Sequence, residues 1–279
     1  MKATPSPRVI FIGGSGLFSG LDGHRVEERL KMNSVNLGFF AGFGILPYLD
    51  PLVNELKYQD VVVLVPEYGV MANGLDATPR ARPWLLALHP SFALKAVYPR
   101  NFAGLSMLLE DVVTLVRSKV ESFQKLAFCW SSRPGFRKAG REMDLNGDLT
   151  ESGQFHRVSE GSLLGRGTEM PRPFPLGNAL ARLNRFYSCA LEKGAEVYFA
   201  WPAYPAPELS RNESQIRELE KDFRRNLHIP ILGAPSDFAF PYRNFTNTVD
   251  HLDVEGKRLR TERLISLLEK RREYLKRVP

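Results

Sequence analysis

Short, nearly unbroken apolar runs punctuate the chain, and they constrain its fold more than any other feature. Val9, Ile10, Phe11 and Ile12 run into Gly-Gly-Ser-Gly. Residues 60–65 read DVVVLV and stop at Pro66, and residues 196–201 read EVYFAW and stop at Pro202. Two further runs lie at 126–130 and 229–232. Runs this short, without polar alternation, suit strands buried on both faces. Helical patterns occupy 43–57, 101–124, 177–193 and 208–226, and a last one covers 257–277. The alternation predicts an α/β chain: a three-layer α/β/α sandwich on a mostly parallel sheet of about five strands.

With 279 residues, 43% of them hydrophobic, the chain is long enough to bury one large core, so 1–279 reads as a single domain. Residues 131–176, rich in Gly, Arg, Ser and Pro, read as an irregular excursion near the carboxyl edge of the sheet, and 69–100 as a broken crossover. The two cysteines, Cys129 and Cys189, form no CxxC, which excludes a disulfide scaffold and a Cys-rich metal or iron–sulfur site. Both read as inert core residues. No two histidines have metal-ligand spacing, so no metal or other cofactor is expected. No apolar stretch approaches the roughly 20 residues needed to span a bilayer. The amino terminus has no signal-peptide pattern, so the default compartment is the cytoplasm. An exported or membrane-associated protein is the alternative if an upstream leader or anchor has been removed.

A formal charge of +7 invites a nucleic-acid partner until the charge is located. Residues 257–277 hold nine basic and three acidic side chains, a net of +6, on a helix whose Leu259, Leu264, Leu268 and Tyr274 mark an apolar face. Its basic residues then mostly face solvent toward a helix C-terminus, where the dipole favours cations. Nucleic acid has no aromatic or Gly-rich signature in its favour, and contact with an anionic surface through 257–277 stays open.

Ligands bind outside the carboxyl ends of strands in such a sheet. The first of these ends carries Gly13, Gly14, Ser15 and Gly16, which match neither the dinucleotide nor the P-loop spacing. A Gly-flanked turn is ordinary turn chemistry, or it lifts the Ser15 hydroxyl as a nucleophile. A serine nucleophile needs a base and the base needs an orienting partner. His251, in the polar loop NFTNTVDHL that leads into the terminal helix, is the candidate base; a surface or capping histidine is the other reading. Asp253 reads as that helix's N-cap, with Gly256 in the first turn. Trp201 ends a strand on the same side, either as an aromatic wall for a substrate or as a core residue.

The order of these blocks resembles the SGNH (GDSL-like) hydrolase superfamily, in particular a poorly characterised bacterial branch. The resemblance rests on the strand with Gly-Gly-Ser-Gly, on Asn36-Leu37-Gly38, on DVVVLVPEY at 60–68 and on FTNTVDHLDVEGKRLRTERL near the end. It implies an SGNH/flavodoxin-like fold, Ser15 as nucleophile with its own N–H as oxyanion donor, Gly38 N–H as a second donor and His251 as base. It also implies that Glu67 and Tyr68 line the crevice, with Asn36 there or tying a loop together. The chain departs from the pattern in three places. Gly16 stands where the branch often has Asn. Asn247 and Thr248 stand where an acid is usual, leaving Asn247 to orient His251 and Asp250 as the nearby acidic substitute. The third-block Gly-x-Asn is missing, and Asn73, in an Asn-Gly turn, is the nearest substitute donor. The expected activity is a serine-dependent esterase or deacylase, or an O-acyl or O-acetyl transferase, on a small-molecule ester or an acylated glycan. The alternative is a catalytically degenerate SGNH-fold protein acting in carbohydrate binding or envelope assembly.

Overall fold

The computed structural model describes residues 4–128 and 170–277. Its centre is a sheet of five parallel strands: β1 (Arg8–Gly13), β2 (Asn33–Gly38), β3 (Val61–Val65), β4 (Glu196–Ala200) and β5 (Ile231–Leu232), in the spatial order β2-β1-β3-β4-β5. Val9 to Ile12 of β1 and Val62 to Leu64 of β3 have no solvent exposure, as apolar strands covered on both faces require.

The helices are α1 (Ser15–Gly20), α2 (Gly23–Leu30), α3 (Leu46–Glu55), α4 (Tyr68–Ala72), α5 (Arg82–Leu88), α6 (Pro90–Ala96), α7 (Phe102–Phe128), α8 (Ala179–Glu192), α9 (Ala206–Arg211), α10 (Glu213–Asn226) and α11 (Val254–Arg277). They pack around the sheet as a three-layer α/β/α sandwich. α1, α2 and α11 form one group, and α3 packs on α8. Asn184 ties α8 to the end of α10, donating to Asn226 O and accepting from His228 N. Outside the main sheet, Tyr204–Pro205 pairs with Ala239–Phe240.

Four of the five apolar runs lie on strands. Of the run at 126–130, residues 126–128 instead form the last turn of α7, and 129–130 lie outside the described residues. The fifth strand is β2, NSVNLG, which periodicity does not mark. It is an edge strand with polar residues in alternation, and its pairing with β1 makes it a strand. Most of the excursion at 131–176 also lies outside the described residues. At its end, Met170 and Leu176 return to the core. The single pattern at 208–226 is two helices, broken at Asn212, whose N–H and Nδ2 both donate to Glu208 O. Asp253 caps α11 as its sequence suggests, with Oδ1 accepting Gly256 N–H at 2.8 Å.

The register decides where chemistry can happen. Gly13, the last residue of β1, is paired on one side with Gly38, the last of β2, and on the other with Val65, the last of β3. Since the chain goes from β1 to β2 on one side and then to β3 on the other, the strand order reverses at β1. That reversal opens a crevice beyond Gly13 and Val65.

Candidate active site

β1 ends at Gly13, and the chain turns at once into α1, whose first residue is Ser15. The turn needs glycine for closeness of approach: a Cβ at Gly14 would overlap the Glu67 carboxylate. Ser15 is partly exposed while Gly14 and Gly16 are buried, so the side chain alone reaches the crevice. Its Oγ lies 2.9 Å from His251 Nε2.

His251 arrives on a loop closed by its own hydrogen bonds. Phe245 and Leu252 form an antiparallel bridge, and Asp253 N donates to Asn244 O at 2.8 Å. Thr246 donates to His251 O through both its N–H, at 2.9 Å, and its hydroxyl, at 3.2 Å. The Thr248 hydroxyl accepts the N–H groups of Asp250 and His251, each at 3.2 Å. Inside this loop His251 Nδ1 lies 2.8 Å from Asn247 Oδ1. An amide oxygen can only accept, so Nδ1 carries the hydrogen, Nε2 presents its lone pair, and the Ser15 hydroxyl donates to it. His251 is 9% exposed, and its burial lowers its pKa to about 4. Asn247 brings no charge to oppose that, so the imidazole is neutral at pH 7.

Beneath the serine lies a buried ionic group. Glu67, two residues beyond β3 and 3% exposed, accepts the Gly16 N–H on Oε1 at 2.6 Å. Arg260, on α11 and 1% exposed, donates from Nη1 to Gly16 O at 2.9 Å. Burial pushes the Glu67 carboxyl up, against the opposing pull of nearby N–H groups and of Arg260. Burial also draws the Arg260 guanidinium down to about 10. Asp250, beside His251, is pushed up to about 8, first by burial and then by the charge of Glu67. The ring's Nδ1 is held by Asn247, and the Asp250 N–H donates to the Thr248 hydroxyl.

No protein-family model matches the chain, and no curated protein matches it significantly.

Other residues singled out in the sequence stand elsewhere. The Gly38 N–H, expected to be an oxyanion donor, instead donates to Asn36 Oδ1 at 2.8 Å. Asn36 is buried and its Nδ2 reaches Leu17 O at 3.4 Å, so this pair ties the end of β2 to α1. Asn73 is not brought to the serine: its Nδ2 donates to Gly69 O at 2.7 Å, and the residue closes the end of α4 on an exposed turn. Tyr68 and Trp201 belong to the core and not to a crevice wall, at 1% and 0% exposure. Tyr68 meets the Tyr204 ring edge-on at 5.0 Å, and Trp201 stacks on Phe223 at 5.8 Å. Burying their rings in the aromatic layer outweighs exposing them beside a polar turn. Cys189 is half-buried on α8, and Cys129 lies outside the described residues.

The terminal helix was expected to turn its basic residues mostly to solvent. Arg258 does so and pairs with Glu255. Glu262 and Glu269 meet Arg25 and Arg29 of α2. Arg263 and Lys270 are also exposed, Lys257, Arg271 and Arg272 are half-buried, and Arg260 is the basic residue of this helix fully buried among those described, which its charge alone did not make plain. The signal was present, since Arg260 precedes Leu264 and Leu268 by four and eight residues and therefore shares their buried face. Among the described residues no helix is long and apolar enough to cross a membrane.

Proposed function

We propose that this protein is a serine-dependent esterase or deacylase, or an O-acyl transferase, of the SGNH superfamily. The observation that carries the reading is the chain of contacts from Ser15 Oγ to His251 Nε2 at 2.9 Å and from His251 Nδ1 to Asn247 Oδ1 at 2.8 Å. This order of hydroxyl, imidazole and hydrogen-bond acceptor is the one that a nucleophile, its base and an orienting partner need for acyl transfer. Their place at the reversal of strand order, in a sheet ordered 2-1-3-4-5 as in flavodoxin-like folds, supports it further.

In this reading Ser15 attacks an ester carbonyl carbon as its hydroxyl proton passes to His251 Nε2. The C–O bond to the leaving alcohol breaks as the imidazolium returns that proton to the alcohol oxygen. Water, or the hydroxyl of an acceptor, then releases the acyl group from Ser15 by the same steps in reverse. The N–H of Ser15, at the start of α1, is the oxyanion donor that the family resemblance implies. Gly38 contributes a second one only when its N–H leaves Asn36 Oδ1. The acylated-glycan substrate follows from the family resemblance alone.

The neutral Asn247 and the engaged Gly38 N–H favour a second reading, a degenerate site kept for carbohydrate binding or envelope assembly. Turnover of a simple acetyl ester separates the two. The enzymatic reading expects hydrolysis by the native chain that Ser15→Ala and His251→Ala each abolish. Equal background rates in all three folded proteins would favour the binding reading.

A further inference from the structure

We infer that Glu67 and Arg260 are positioning residues that lock the two peptide planes around Gly16 and thereby hold Ser15 in line with His251. The inference rests on the serine reading above. Three elements distant in sequence converge on this one glycine. The end of β3 takes its N–H through Glu67, and α11 meets its carbonyl through Arg260. The base loop lies against its Cα, since a Cβ there would stand 2.8 Å from Asp250 O.

The peptide bond is planar, so the Gly16 N–H and the Ser15 carbonyl move as one body. Fixing that N–H fixes ψ of Ser15, and fixing the Gly16 carbonyl fixes the next plane. The direction of the Ser15 side chain is then set from below, while His251 is set by its own loop. Glu67 and Arg260 are buried, each bonded to Gly16, and their opposite charges attract across it. Two charges taken out of water stabilise a fold no better than a well-packed apolar pair. Their convergence on the residue after the serine is explained by alignment. The same crowding accounts for glycine at 16, because an asparagine there would meet both Asp250 and the Glu67 carboxylate.

The test is the rate at which a fluorophosphonate modifies Ser15 in the full chain, resolved into the maximal rate and the half-saturating reagent concentration. Glu67→Ala is expected to lower the maximal rate about 100-fold, the cost of misplacing a reacting group by an ångström. Half-saturation should hardly change. Glu67→Gln keeps an oxygen to accept the Gly16 N–H and is expected to recover most of the lost rate. Glu67→Ala leaves Arg260 buried without the charge that attracts it, so the double variant Glu67→Gln/Arg260→Met is measured beside it. Both charges are then gone, the Gly16 N–H keeps its acceptor, and the rate is expected to fall below that of Glu67→Gln alone. Native rates in folded Glu67→Ala and in the double variant would overturn the positioning role and leave Ser15 as the nucleophile. So would equal losses in Glu67→Ala and Glu67→Gln, which would make Glu67 a merely structural charge. A folded native chain that does not react at all would overturn the serine reading and the positioning role with it.

Discussion

Asn247 Oδ1 accepts the Nδ1 hydrogen of His251 at 2.8 Å, so an amide stands where a carboxylate would serve a serine nucleophile best. It fixes the tautomer and ring direction but cannot oppose the positive charge that forms on the imidazole when Ser15 attacks. Asn247→Asp is expected to raise ester turnover at least about tenfold, since a charge-assisted bond to the ring is roughly twice as strong as a neutral one. Steady-state kinetics at pH 7 checks this. The Thr246 hydroxyl, which reaches Asn247 Oδ1 at 3.3 Å, can donate to a carboxylate equally well, so a fall in turnover with the fold intact would contradict the part given to Asn247.

His251 makes stability depend on acid. Its pKa is about 4 in the folded chain against 6.5 for an ordinary histidine, because burial disfavours the imidazolium. Between those values the unfolded chain holds the extra proton. This contribution is therefore complete above pH 6.5 and is lost as pH falls through about 4, about 3 kcal/mol in all. Because Asp250 titrates in the opposite sense over the same range, denaturant unfolding between pH 4 and 7 is compared in Asp250→Asn with and without His251→Gln, and that slope should appear only where His251 is present.

Asp250 acts in the opposite direction. Its pKa rises from 3.8 to about 8 on folding, so the folded chain holds the proton between those values and loses stability as pH rises through about 8. Asp250→Asn removes the ionisation. Its thermal midpoint is expected to exceed that of the native chain at pH 9, by more than about 1 kcal/mol in stability. A lower midpoint at that pH would mean that the ionised carboxylate has a favourable partner.

The glycines of the turn are packed too closely to accept a methyl group. Gly14→Ala would drive a Cβ into the Glu67 carboxylate, and overpacking of this kind costs about 1–3 kcal/mol. The same displacement moves the Ser15 hydroxyl away from His251, so ester turnover should fall further than the change in stability accounts for. Calorimetry and kinetics on one preparation separate these effects.

Strands whose two faces are both buried betray themselves as apolar runs, which is why β1, β3, β4 and β5 can be found in the sequence. β2 cannot be found that way. Asn33, Ser34, Asn36 and Gly38 have poor strand propensity, and only pairing along β1 makes them a strand. The run at 126–130 misleads for the converse reason: four to six apolar residues satisfy a buried strand and a helix end equally well. At the site, a Gly-flanked serine is ordinarily turn chemistry and a loop histidine a surface or capping residue, so Ser15 and His251 are legible only through the order of blocks that carries the family resemblance. Asn247 is legible only through its spacing from His251. The roles of Gly38, Asn73 and Trp201 depend on where a side chain or N–H points, and local bonds or core packing decided that. Arg260 required its charge to be read against the period of its own helix.

Mapping the site of covalent modification tests the central claim most directly. The folded native chain is incubated with a fluorophosphonate, digested and sequenced by mass spectrometry, with Ser15→Ala and His251→Ala treated alike. One adduct is expected on Ser15 in the native chain, none in Ser15→Ala and a greatly slowed adduct in His251→Ala. Modification of another residue, no modification of the native chain, or labelling of Ser15 at an unchanged rate without His251 would contradict it.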